Sequence, residues 1–223
     1  ATATASAPAG AVHRRYLPVA LSGACLPGAA PVDVVVALDA STTMLGLTAS
    51  GRRKLDEATA GIGRLVDGLA GRAGVRIGLV WFNAVAVDWA PLTDDLAAIR
   101  RALAEPIRPA TGSRLDLGIG AAAAMLDGAG PPAPHRAIVL VSDGLVVGAA
   151  PDDVRAAAVA ARAGGTVIYA VAVGPGAAGA LLVDVAGAPG RVFDAGDGDG
   201  FVVAFRAAVA ALPCRPHAPA PAP

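Results

Sequence analysis

The chain has 223 residues with 18 basic and 18 acidic side chains, so its formal net charge is zero. Apolar residues make up 55% and aromatic residues 4%, enough for a sizeable α/β core of Ala, Val, Leu and Ile. The balanced charge argues against nucleic acid or an anionic membrane as partner, since both select a clustered excess of Lys and Arg.

The length fits one domain with irregular ends. Residues 1–24 read as an N-terminal arm, beginning with Ala, Thr, Ser and Pro in no regular period. Arg14-Arg15 followed by the apolar stretch Tyr16 to Ala30 has the order of a secretion signal. Pro18, Ser22 and Pro27 interrupt it, so a packed arm is the favoured reading. No uninterrupted apolar run reaches the ~20 residues of a membrane helix, and no direct membrane span is expected. Residues 25–214 form the expected domain, and 215–223 a Pro/Ala-rich tail that should stay extended.

Cys25 and Cys214 stand at the two ends of that domain. Domain termini often lie close together, so a disulfide between them is expected. With it comes an extracellular or cell-surface location, the protein being secreted. Two separate thiols of a cytosolic protein are the other reading. There is no Cys-x-x-Cys and no Cys/His cluster, which disfavours zinc. The basic residues are nearly all Arg, and Lys54 is the single lysine.

Within the domain, Val32 to Leu38 is a β-branched apolar run of strand length. Lys54 to Ala70 places Leu55, Ala58, Ile62, Leu65, Val66 and Leu69 at helical spacing. Val75 to Asn83 and Val85 to Trp89 read as strands of a tight hairpin with only Ala84 between them. Asp94 to Ala104 and Arg114 to Leu126 are helical. Ala137 to Ser142 is a strand, and Pro151-Asp152-Asp153 opens a helix to about Ala163. Thr166 to Val173 is a strand, Ala178 to Val185 a short helix, Arg191 to Asp194 a short strand and Gly200 to Leu212 a last helix. Strands alternating with helices predict a mostly parallel sheet covered on both faces. Ligands of such sheets sit beyond the carboxyl ends of the strands, where the strand order reverses.

Three segments bring polar oxygens to that edge. The first strand runs into Asp39-Ala40-Ser41-Thr42-Thr43, whose carboxylate and hydroxyls share one side if the chain stays extended. Gly112-Ser113-Arg114-Leu115-Asp116 opens a helix, and the fourth strand ends in Ser142-Asp143-Gly144. Charged and neutral oxygens together suit Mg²⁺ and similar hard cations.

This trio resembles the metal-ion-dependent adhesion site of von Willebrand factor type A domains. The resemblance spans Val32 to Leu212 and implies a Rossmann-like, doubly wound, mostly parallel six-stranded sheet. Its order would be 3-2-1-4-5-6, with the third strand antiparallel and helices on both faces. It implies that Ser41 and Thr43 bind Mg²⁺ (or Mn²⁺ or Ca²⁺) through their hydroxyls. Asp39 and Asp143 would act through bound water, and Ser113 would join as the loop hydroxyl. Thr43 stands where the family has a second serine, and Ser113 where it has a threonine; both keep the oxygen. Thr111 is a rival for the loop role. The function implied is a non-enzymatic binding or adhesion module, a monomer whose cation is completed by a carboxylate of a protein ligand. An intracellular adaptor of an ATPase or metal-insertion complex carries a similar domain and is the alternative.

Other segments carry weaker signals. Gly174-Pro175-Gly176-Ala177-Ala178-Gly179 matches the G-x-G-x-x-G of dinucleotide enzymes. It follows the penultimate strand and opens a short helix, and a Gly-rich turn is the simpler reading. Asp194 to Gly200 lacks the closing Glu of a helix-loop-helix calcium site. His13 and His217 fall in the tails and His135 in an expected solvated loop, leaving no base for a Ser-His-Asp arrangement.

Overall fold

A computed structural model describes residues 31–211, apart from 49, 71, 175, 176, 178 and 197. Cys25, Cys214 and the expected arm and tail lie outside the described residues. Strands β1 (Val32–Asp39), β2 (Val75–Phe82), β3 (Ala86–Thr93), β4 (His135–Ser142), β5 (Val167–Val173) and β6 (Val192–Ala195) form one sheet. Its order is β3-β2-β1-β4-β5-β6, parallel throughout except for the β2–β3 pair.

All eight residues of β1 are buried, as expected of a central strand covered on both faces. The two-residue period of a strand divides its side chains between two cores. Val34, Val36 and Leu38 face one layer, made by α1 (Lys54–Leu69), α2 (Leu96–Ala104) and α6 (Gly198–Ala211). Val35 and Ala37 face the other, made by α3 (Leu115–Gly128), α4 (Pro151–Ala163) and α5 (Ala180–Ala186). In α1 the predicted stripe Leu55, Ala58, Ile62, Leu65, Val66 and Leu69 is the buried face.

Local departures from the sequence reading have physical causes. The hairpin loop is Asn83–Val85 rather than Ala84 alone, because Asn83 closes the turn: its N–H donates to Val85 O and its side chain accepts from Val85 N. β3 also continues past Pro91 to Thr93, with register shifts where it meets Ile77 and Leu79; an edge strand tolerates a residue with no N–H. α2 starts at Leu96, since Asp95 caps it by accepting from Ala97 N and Ala98 N at 3.0 Å each. His135 is the first residue of β4, paired with Val32. That puts it at the far end of the sheet from Asp39, about 23 Å along the strand at ~3.3 Å per residue.

β1 has β2 on one side and β4 on the other. Their carboxyl ends form the point where the chain winds away in opposite directions. Leu38 pairs with Val141, which brings Asp39 level with Ser142.

Candidate metal centre

The chain stays extended as far as Ser41, which bridges to Ala110, and then bends. Thr42–Leu45 forms one 3-10 turn, its Met44 wholly buried under α1. The turn still brings the two predicted hydroxyls together, with Ser41 Oγ and Thr43 Oγ1 2.8 Å apart. Ser41 is buried and Thr43 half-buried, so the pair lies where the buried edge meets solvent.

The three loops are joined by backbone hydrogen bonds. Ala110 N donates to Ala40 O, and Thr42 N to Ala110 O. Ser113 and Val147 exchange N–H···O bonds of 2.8 and 3.2 Å, and Arg114 N donates to Asn83 O. Gly112 permits this closeness: its φ is +97°, and a Cβ there would stand 2.8 Å from Ala84. Bonds of this kind fix the loops before any ligand arrives.

Asp39 is the centre of the arrangement. Its Oδ1 accepts from Ser41 N at 2.9 Å, and its Oδ2 from Ser113 Oγ at 2.9 Å and Ser142 Oγ at 2.7 Å. Asp39, Ser113 and Ser142 are wholly buried. Burial pushes the Asp39 carboxyl above the usual carboxylate range, and the bonds from Ser41, Ser142 and Ser113 only partly pull it back. Among the described residues no cation is paired with it. Three of about four lone-pair sites of a carboxylate are used, leaving capacity on Oδ1.

Asp143 follows β4. Its Oδ1 accepts from Leu145 N at 3.3 Å, and Gly144 turns the chain at φ +75° where a Cβ would meet Ala177 O at 2.8 Å. Its Oδ2 accepts from Lys54 Nζ at 3.0 Å. All five residues expected to hold a cation thus belong to one joined edge. Asp39, Ser41, Thr43 and Ser113 are linked by hydrogen bonds, whereas Asp143 is held by an ammonium. Ser113 lies behind Asp39 as its donor, and its rival Thr111 is exposed.

Two residues escaped the sequence reading. Ser142 was visible only as part of Val-Ser-Asp-Gly, yet it ties β4 to Asp39 and accepts from Gly144 N at 3.0 Å. Lys54 is the single lysine, and nothing in the sequence joins it to Asp143, 89 positions away.

The donors are carboxylate and hydroxyl oxygens. No group of three or more His, Cys, Asp or Glu suited to a metal occurs among the described residues. Such a set fits a hard divalent cation that keeps part of its water and leaves a position for an outside ligand. Asp39, buried and without a counter-charge, is the feature that a cation would satisfy.

The order of the six strands and an oxygen-lined edge at the switch point define a doubly wound α/β domain. A family model for the von Willebrand factor type A domain matches residues 33–205. The chain belongs to that family. Comparison with curated proteins gives no match. Among solved structures, the vWF domain of the type V pili tip protein Mfa5 from Porphyromonas gingivalis is similar, with a TM-score of 0.69 and 18% identity. The likeness covers 81% of this chain and 94% of that one. The pilus adhesin SpaC from Lactobacillus rhamnosus GG, in an open conformation, gives 0.64 and 15% over 82% of this chain and 30% of its own. Proximal thread matrix protein 1 from the mussel byssus, in a structure with a zinc-occupied MIDAS motif, gives 0.66 and 20% over 81% of this chain and 45% of its own. At these identities the likeness speaks for the fold.

Proposed function

We propose that this domain is a non-enzymatic adhesion module that captures an acidic group of a protein ligand through a divalent cation at the carboxyl edge of the sheet. Ser41 and Thr43 offer their hydroxyls to the cation. Asp39 and Asp143 supply negative charge, and Ser113 and Ser142 hold Asp39 in place. The observation that carries the reading is Asp39: a wholly buried carboxylate held by neutral donors of three serines with no cation among the described residues, beside a pair of hydroxyls 2.8 Å apart. Because Ser41 and Thr43 contribute neutral hydroxyl oxygens, the cation would keep a coordination position open, and an incoming carboxylate can fill it. Mg²⁺ or Mn²⁺ suits the oxygen set, and the zinc-occupied MIDAS motif of the mussel protein supports a divalent ion as the occupant.

The surroundings of the edge also support a docking face. Leu45, Leu47, Val85, Leu145 and Val147 are exposed by 40–65%, and all lie on the loops that follow β1, β2 and β4. Exposed apolar side chains on the loops that carry the polar centre suit a ligand whose acidic residue is flanked by apolar ones. The pilus and byssal relatives favour a secreted or surface-bound location.

Two measurements test this reading. Calorimetric titration of Mn²⁺ into the protein is expected to show one site, abolished in Asp39→Asn. A phage-displayed random peptide library, selected in Mg²⁺ and eluted with EDTA, is expected to enrich peptides with Asp or Glu beside apolar residues. Enrichment with no acidic consensus, or binding indifferent to EDTA, would overturn the mechanism.

A further inference from the structure

We infer that Lys54 is a tethered counter-ion that competes with the divalent cation for Asp143, and so sets the cation affinity of the edge; this rests on the reading of the edge as a cation holder.

Lys54 is the first residue of α1, and its backbone N–H donates to Gly46 O at 2.9 Å in the loop after β1. Its side chain crosses from that loop to β4, where Nζ meets Asp143 Oδ2 at 3.0 Å. Side-chain exposure is 18% for Lys54 and 1% for Asp143, so the pair is shielded from screening by salt. Gly174 leaves room for the stem: a Cβ there would lie 2.9 Å from Lys54 Cε.

Asp39 and Asp143 alone would present two negative charges to an arriving cation, whereas Lys54 beside Asp143 reduces the edge to one. A divalent ion is therefore attracted less, and Asp143 serves it fully only when the ammonium withdraws. Four rotatable bonds and a compact head make that withdrawal possible for lysine. A guanidinium would fork onto both carboxylate oxygens and hold on. In a chain whose other basic residues are nearly all Arg, the one lysine stands where a releasable charge is of use.

The test compares the wild type with Lys54→Met and Lys54→Arg. With Mn²⁺ titrated by calorimetry at low ionic strength, Lys54→Met is expected to bind ~10-fold tighter or more, each tenfold being about 1.4 kcal/mol. Lys54→Arg is expected to bind no tighter than the wild type. Equal affinity in the wild type and Lys54→Met, or weaker binding in Lys54→Met, would overturn the competition while leaving the cation site standing. Absence of binding in both would instead bring down the cation reading itself.

A second readout needs no variant at position 54. Because Lys54 is the only lysine in the sequence, acetylation by an activated ester reports on that side chain through the mass of its peptide. Mg²⁺ is expected to speed acetylation of Lys54 several-fold in the wild type and leave it unchanged in Asp39→Asn. Slower or unchanged acetylation of the wild type in Mg²⁺ would show that the ammonium does not leave, and the inference would fail.

Discussion

Asp33 and Asp39 lie near opposite ends of β1, and both are wholly buried. Asp33 has its counter-charge built in: Arg76, its neighbour on β2, grips both carboxylate oxygens at 2.7 and 2.8 Å. The same guanidinium donates to Ala129 O and Pro131 O, and Ala133 N donates to Asp33. That end of the sheet is a closed clamp, tying the α3–β4 connection to two strands. Among the described residues Asp39 is held by neutral donors of Ser41, Ser113 and Ser142. A buried charge is tolerated when it is paired, so the contrast marks which end supplies its own partner and which is arranged for one from outside.

Removing each charge should separate the two ends. Asp33→Ala strands Arg76 and is expected to cost about 3 kcal/mol of unfolding free energy, read by urea denaturation in EDTA. Its Mn²⁺ affinity should not change; a large loss there would erase the distinction. Asp39→Asn should do the opposite, weakening Mn²⁺ binding by at least ~100-fold, about 2.7 kcal/mol. Its stability in EDTA is expected to equal or exceed that of the wild type, because a costly buried charge has gone.

Ser142→Ala removes one of two hydroxyls on Asp39 Oδ2 and leaves Asp39 less firmly held. We expect a loss of about 1 kcal/mol in stability and roughly tenfold in Mn²⁺ affinity, the latter consistent with the loss of a group that orients a metal ligand. If Ser142→Ala matched Asp39→Asn in severity, Ser142 would have to meet the cation itself.

The smallest expected effect is a pH dependence. Burial raises the Asp39 carboxyl in the folded, metal-free protein, so the folded chain binds this proton more readily than the unfolded one. Its contribution is therefore least unfavourable below the unfolded carboxyl's value, near 4. Stability is lost as pH rises from there through the higher folded value. In EDTA the stability gap between Asp39→Asn and the wild type should narrow on acidification over that window. A gap that widens would mean that Asp39 has a cationic partner after all.

Much of the fold was legible because its signals are local. Val32 to Leu38 and Ala137 to Ser142 announce buried strands by being apolar on both faces, and the α1 stripe appears whole in the sequence. Asp39, Ser41, Thr43, Ser113 and Asp143 were legible as a set, each following a strand or opening a helix. Their arrangement was less so. The hydroxyls of Ser41 and Thr43 meet through a 3-10 turn rather than an extended chain, and the turn buries Met44. Ser142 and Lys54 carry no such signal, because a serine within a strand and a lysine opening a helix have ordinary local explanations.

By itself the sequence determined the alternation of strands and helices, the two apolar faces of the sheet and which oxygens end the strands. Those follow from periodicity and turn chemistry, which act over a few neighbouring residues. Only the tertiary structure decided that Asp33 would be clamped by Arg76 while Asp39 would not, and that Lys54 would reach Asp143. Charge pairing is settled by distance in space, and the register of β1 against β2 and the docking of α1 against the sheet edge set those distances.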